Sequence, residues 1–161
     1  MRPAVLPFLL ALCSSVAEAG TPIRSTGNFG LGIGGGTITS GLSGKYFLSD
    51  AYAVQGVVGW WGAGYGQGGI GVSADFLVEQ PSLHHDEVVE IAWNWGGGGT
   101  IASSNFGGLI LGANATVGLE FNFEPAPIDL VVEWRPGIFA GSGGLGIALI
   151  SLGAHVRVYP F

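Results

Sequence analysis

Apolar and polar residues alternate along most of the chain, with the two-residue period of a β-strand that has one apolar face. Between positions 128 and 138 the even-numbered residues are apolar, whereas the odd-numbered ones include Asp129, Glu133 and Arg135. The same alternation recurs in seven further windows. The pattern therefore predicts eight strands, at about 27–37, 40–48, 51–61, 68–79, 87–97, 108–123, 127–140 and 144–159.

The segments between these windows are short and have turn composition. Ser49 and Asp50, the polar stretch 81–86, and Pro125 with Ala126 are turn residues, and the stretches 62–67, 97–107 and 141–143 are rich in Gly, Ser and Asn. No linker separates a second domain. Because eight neighbouring antiparallel strands can close on themselves and remove their edges, we predict an all-β, up-and-down antiparallel barrel over residues 20–161.

Composition decides which face of this barrel points outward. The chain of 161 residues is 48% hydrophobic, only 10% charged, and contains 31 glycines, whereas soluble domains are typically about 25% charged. A soluble barrel is polar outside, and an outer-membrane barrel is apolar outside. The glycine-rich, charge-poor polar face is unsuited to water, so the sequence favours a transmembrane barrel, with a soluble periplasmic ligand-binding barrel as an alternative.

Large aromatic residues on the apolar face support the membrane interpretation, because aromatic girdles mark the two interfaces of such barrels. The predicted girdle consists of Tyr46, Tyr52, Trp60, Trp93, Trp95 and Trp134.

Residues 1–19 have the three parts of a cleaved secretory signal peptide. Arg2 precedes an apolar core at 4–13, and Ala17 and Ala19 form a small-x-small cleavage site. The only cysteine, Cys13, lies within this segment and cannot form an internal disulfide. A net charge of −6 without a basic patch argues against nucleic acid as a partner.

Five segments carry a likeness to known proteins: 41–47, 72–77, 118–121, 126–133 and 153–159. In this order they resemble a small bacterial outer-membrane β-barrel family of the OmpA/OmpX-like eight-stranded kind, whose role is not defined. The resemblance implies a monomer in the lipid of a Gram-negative outer membrane. It also implies recognition of Tyr159 and Phe161 by the barrel-assembly machinery, although Arg157 and His155 occupy positions that are usually hydrophobic in such terminal strands.

If the apolar face meets lipid, the polar face packs inside, where charges must be paired or hydrated. We expect a salt-bridged network centred on the cations Lys45, Arg135 and Arg157. Its predicted members are Lys45, Asp75, Glu79, Glu90, Glu120, Asp129, Glu133, Arg135 and Arg157. Since eight strands enclose an interior that side chains just fill, we predict a structural or surface-interaction role, with a narrow, porin-like channel for ions or small solutes as the alternative.

Candidate chemistry is sparse. His84, His85 and Asp86 have metal-binding side chains, but neighbouring residues on a strand point in opposite directions, so we interpret them as a solvated turn. Ser151 and His155 share a face but lie about 13 Å apart on an extended strand. The sequence therefore predicts no enzyme activity, no metal and no cofactor.

Overall fold

The computed structural model describes residues 22–62, 68–104, 107–123 and 126–160. The predicted signal peptide and Phe161 lie outside these residues. A 3-10 turn, Pro22–Arg24, precedes the strands. The strands are β1 (Phe29–Gly36), β2 (Thr39–Ser49), β3 (Tyr52–Trp61), β4 (Ile70–Glu79), β5 (His84–His85), β6 (Val89–Ser103), β7 (Leu109–Phe123), β8 (Ile128–Trp134), β9 (Gly137–Gly141), β10 (Gly144–Ala148) and β11 (Leu152–Val158).

These strands form one closed antiparallel barrel. Each main strand pairs with its neighbour in sequence, and β11 pairs with β1 to close the sheet. β8 and β9 are two parts of one barrel strand, since both pair with β7 in the same register. β10 and β11 together form the eighth barrel strand, since β10 pairs with β9 and β11 pairs with β8, with a shift of one residue between the two registers. The predicted all-β, eight-stranded antiparallel barrel is confirmed.

The barrel has two ends, which we name by their turns. The proximal end carries the two described termini and the turns at 50–51 and 80–88, whereas the distal end carries the turns at 37–38 and 142–143. Within the described part of the chain, no helix has both the length and the apolar character needed to cross a membrane.

Strand β6 is longer than the sequence predicts. It continues through Gly97 to Ser103, so the prediction of a loop over 97–107 is wrong for its first seven residues. Gly97 pairs with Phe76 of β4 on one side and with Ala115 of β7 on the other. Pairing on both sides supplies the hydrogen bonds that hold glycines extended, and so overrides their weak preference for strands.

The eighth barrel strand is broken at 149–151, where the sequence predicts one continuous strand. Trp134 pairs with Leu152, whereas Gly137 pairs with Ala148. Between these two pairs, two residues (135 and 136) on one strand face three (149–151) on the other, and the extra residue forms a β-bulge. The bulge brings Ile147, at an odd position, onto the same outer face as the even positions of β11. The sequence carries a trace of this bulge, because the large apolar residues lie at odd positions up to Ile147 and at even positions from Ile150 onward.

The side chains are sorted by face, with the apolar face outside. Ile33 and Ile70 are 67% and 64% exposed, whereas Lys45 and Arg157 are at most 1% exposed. Successive residues alternate between exposed and buried along β4, β7 and β11. The polar face therefore forms the interior of the barrel.

Glycines on the inner face leave room for large polar side chains. A Cβ atom at Gly34 would lie 2.1 Å from Nδ1 of His155, and one at Gly98 would lie 1.9 Å from the Ala74 carbonyl oxygen. Neither distance is compatible with an added methyl group unless the barrel wall moves. The abundance of glycine thus has a steric cause, because a glycine on one strand leaves room for a large side chain or for the backbone of the neighbouring strand.

We expect Gly98→Ala to lower the free energy of unfolding by about 1–3 kcal/mol, because the clash is with backbone that is fixed by the sheet. The matched control is Gly44→Ala on the outer wall, whose Cβ would be 3.4 Å from its nearest neighbour, the Phe29 ring. This change should stay within about 0.5 kcal/mol. Urea unfolding followed by tryptophan fluorescence would compare the two, and equal effects would contradict the steric explanation.

Candidate functional site

The interior consists of three layers along the barrel axis. A proximal apolar layer contains Ile23, Phe47, Ala53, Leu77 and Tyr159. A distal apolar layer contains Ile38, Trp61, Ala102 and Ile110, with Phe139 packed against it. Most of the charged side chains lie between the two apolar layers, whereas Glu79 and Glu90 lie at the proximal ends of β4 and β6, at the level of the proximal layer.

Lys45 is the cation of the proximal half of the charged layer. Its Nζ lies 2.8 Å from Oε1 of Glu79 and also donates a hydrogen bond to Oε1 of Glu120. Asn94 donates to the same oxygen of Glu120, and the Lys45 ammonium lies 4.7 Å from the centre of the Phe47 ring. All of these polar side chains are buried, so one lysine compensates two carboxylates.

Arg24 is an interior cation that the sequence reasoning missed. It lies in the short turn before β1 and reaches into the proximal end, with Nη1 3.0 Å from Oε1 of Glu90 and Nη2 3.7 Å from Oε2 of Glu79. Its Nη2 also donates to the carbonyl oxygen of Gln80. Arg24 lies outside every predicted strand, so the alternating pattern gave no signal for it.

Arg157 of the last strand and Tyr159, just after its end, share one carboxylate. Arg157 Nε lies 3.3 Å from Oδ1 of Asp129, and the Tyr159 hydroxyl donates to Oδ2 over 2.7 Å. Tyr159 is thus buried in the interior, and its role in assembly stays a prediction. Gln55 extends the network, since it accepts from Arg157 Nη1 and donates to Oε1 of Glu133.

Arg135 holds the distal half of the charged layer. Its Nη2 lies 2.5 Å from Oδ2 of Asp75, and its Nε lies 3.6 Å from Oε2 of Glu133. Asn114 donates to the other oxygen of Asp75. The structure therefore brings all nine predicted network residues into the interior, and Arg24, Gln55, Tyr159 and His155 join them.

His155 lies between a hydroxyl and a carboxylate, an arrangement that the sequence did not reveal. Its Nδ1 is 2.9 Å from Oγ of Ser43, and its Nε2 is 3.3 Å from Oε2 of Glu133. Serine, histidine and carboxylate also make up hydrolytic triads. Here all three are buried, and the crevice beside His155 has no room for even a water molecule. The arrangement fixes the imidazole but leaves no space for a substrate.

The candidate metal residues lie in the exposed proximal turn. His84 Nε2 is 3.1 Å from Oδ2 of Asp86, whose Oδ1 accepts hydrogen bonds from the backbone N–H groups of Val89 and Val88. These backbone hydrogen bonds, of which the one from Val89 has the largest effect, lower the pKa of Asp86 to about 2. Among the residues that the structure describes, no group of three or more His, Cys, Asp or Glu could hold a metal ion.

The predicted girdle residues all lie on the outer wall, but not all at strand ends. Tyr52 and Trp60 lie near opposite ends of β3, whereas Trp95 lies near the middle of β6. Tyr46, Tyr52, Trp60, Trp95 and Trp134 are exposed, and Trp93 is half-buried.

No family model, no curated protein and no solved structure matches the chain. The likeness to OmpA/OmpX-like barrels therefore stays an inference from the sequence. The function has to be argued from the geometry: a closed barrel with an apolar outer wall and an interior filled by paired charges.

Proposed function

We propose that the chain is an integral β-barrel of the bacterial outer membrane with a structural or surface-interaction role and a closed interior. The position of the charges carries this proposal. Among the described residues, every charged side chain on a main barrel strand is buried, and the exposed acidic residues, Asp50, Asp86 and Glu87, all lie in proximal turns. Soluble proteins have the opposite arrangement, with charges on the surface and few of them buried.

The apolar outer wall supports the same proposal. Exposed Leu, Ile, Val and aromatic side chains continue around all eight barrel strands, and Ile33, Ile70 and Leu109 are each more than 60% exposed. Soluble monomers rarely expose apolar patches of more than a few hundred Å², whereas a lipid-facing barrel wall consists of such residues. The soluble periplasmic barrel is therefore the weaker alternative.

The filled interior favours a structural role over transport. Four buried cations, Arg24, Lys45, Arg135 and Arg157, each lie within 4 Å of a carboxylate, and two apolar clusters pack in the same interior. An ion would have to break these pairs to pass. We propose further that the protein is a non-enzymatic monomer whose partner is membrane lipid, delivered by the signal peptide and by assembly machinery that reads Tyr159 and Phe161.

Reconstitution into phospholipid vesicles tests this function directly. We expect the refolded protein to float with the vesicles in a density gradient and to migrate on gels at a position that changes on heating, because a closed barrel keeps its hydrogen bonds in detergent. In planar bilayers we expect no conductance steps. A protein that stays monomeric in buffer without detergent would refute the membrane proposal.

The conductance measurement separates the structural role from the channel. Arg135→Ala serves as the comparison, because it removes the arginine from the distal half of the charged layer. Discrete steps in the unmodified protein that change in size in Arg135→Ala would identify a conducting path through the network, and would replace the structural role with transport.

A further inference from the structure

A cavity of about 410 Å³ lies at the distal end of the barrel. Its inner wall is made by Ile38, Trp61, Ile110 and Phe139, and its other side by the β9–β10 hairpin. None of the described lining residues has a charged side chain, and among them only Ser104 and Ser142 have a side-chain hydroxyl group. Pockets of about 300–1,000 Å³ with mostly apolar linings are typical of small-molecule sites, so this one suits an uncharged, apolar group.

The barrel wall is interrupted beside this cavity. The ladder between β1 and β11 ends where Gly36 pairs with Gly153, followed by a hydrogen bond from the Thr37 N–H to the Leu152 carbonyl oxygen. Beyond this level β10 pairs with β9, and no described strand pairs with its other edge. The gap lies between that edge and the turn at 37–38.

The cavity is lined by residues from both faces of the hairpin that borders this gap. Its lining includes Leu145 and Ile147, which share the outer face of the hairpin with Ile138 and are 72% and 67% exposed. The next residues, Leu149 and Ile150, are at least as exposed as Ile147. A continuous apolar surface thus leads from the outside of the barrel to Trp61 and Phe139 inside.

We propose that this cavity binds one acyl chain of a membrane amphiphile, which enters sideways between β10 and the turn at 37–38. The proposal rests on the membrane location proposed above. Open sheet edges are not tolerated in the hydrocarbon region, so the β10 edge belongs at the level of the lipid headgroups. There its backbone N–H groups face the ester or carboxyl oxygens of the amphiphile while the chain fills the cavity.

Photolabelling of the full barrel in phosphatidylcholine vesicles tests the site. One arm uses hexadecanoic acid with a diazirine near its methyl end, and the other uses a phosphatidylcholine with the same group on one chain. We expect labels on the inward-facing Trp61, Ile110 and Phe139, identified by peptide mass spectrometry. Labelling by the acid alone would indicate a free fatty acid, and labelling by the phospholipid would indicate a bilayer lipid.

Gly146→Leu should close the cavity. Gly146 pairs with Phe139 on the inner face, and its Cβ would meet nothing closer than the Phe139 carbonyl oxygen at 3.9 Å, so a leucine fits but occupies the cavity. We expect labelling of Ile110 to fall by about tenfold or more, since each displaced methylene group lowers the affinity roughly fourfold. Gly44→Leu on the outer wall is the matched control and should leave labelling unchanged.

A second variant enlarges the cavity instead of filling it, and it tests the proposal even if Gly146→Leu does not fold. Phe139→Ala enlarges the cavity and should increase labelling of Ile110. Labels confined to outward residues such as Leu111, with equal amounts in all variants, would show ordinary contact with bilayer lipid and overturn the site. Vesicle flotation is recorded in parallel. A protein that does not float but is still labelled at Ile110 by the acid in detergent would overturn the proposed membrane function and retain the cavity.

Discussion

Replacing Lys45 with methionine is expected to lower the free energy of unfolding by about 3–5 kcal/mol, the range for removing one partner of a buried ion pair. Lys45 contacts both Glu79 and Glu120, and all three side chains are at most 5% exposed. Methionine keeps most of the volume of the lysine stem. The loss is therefore electrostatic, because two neighbouring carboxylates remain buried without the ammonium group that offset their repulsion.

The double variant Lys45→Met/Glu120→Gln separates charge from packing. Glutamine keeps the shape of Glu120 and its hydrogen bond with Asn94, but it removes the carboxylate charge that was paired with Lys45, whereas Glu79 keeps its contact with Arg24. We expect the double variant to be more stable than Lys45→Met alone, since removing both partners avoids most of the penalty for an unpaired buried charge. Urea unfolding of the barrel in vesicles measures all variants, with the exposed change Glu87→Gln as a control.

Two results would contradict this account of the charged layer. If Lys45→Met unfolds at the same urea concentration as the unmodified protein, the ion pairs do not hold the interior together. If the double variant is less stable than Lys45→Met, the contribution of Glu120 lies in contacts other than its pairing with the lysine.

Much of the fold follows from local sequence, because a strand with one apolar face leaves a period-two signal whatever its partners are. The windows over β3 and β4 match the observed strands within two residues. The same alternation puts Asp75, Glu120 and Arg157 on one face, and closure of the barrel then brings that face inside. For residues on strands, the sequence was thus enough to predict which polar side chains point into the barrel.

The pairings inside the barrel were not predictable, because they depend on the stagger between strands. Ser43, Glu133 and His155 belong to β2, β8 and β11, and meet only because closure aligns these strands. The glycines of β6 are misleading when they are considered alone, because a run of glycines is typical of a loop. In the barrel, Gly98 lies so close to Ala74 and Asp75 of the neighbouring strand that a side chain would clash, which explains why a glycine occupies this strand position.

An arginine introduced on the outer wall should have a different effect on stability depending on whether the wall faces lipid or water. Ile33 lies in the central part of β1 and is 67% exposed. In a lipid bilayer Ile33→Arg should cost about 2–4 kcal/mol, the cost of a cationic side chain near the midplane of a membrane barrel. On a soluble barrel the same change should stay within about 0.5 kcal/mol, because it would add a charge to a water-exposed surface.

The control is Leu83→Arg, which adds the same side chain at a similarly exposed apolar position in the proximal turn. This turn contains Asp86 and Glu87, so it belongs in water or headgroups, and Leu83→Arg should leave the free energy of unfolding nearly unchanged. Urea unfolding in vesicles compares the two variants. A large loss for Ile33→Arg alone requires lipid against the middle of the wall, because exposure and side chain are matched. Equal, small effects would mean that the apolar wall faces water, and would refute the transmembrane barrel.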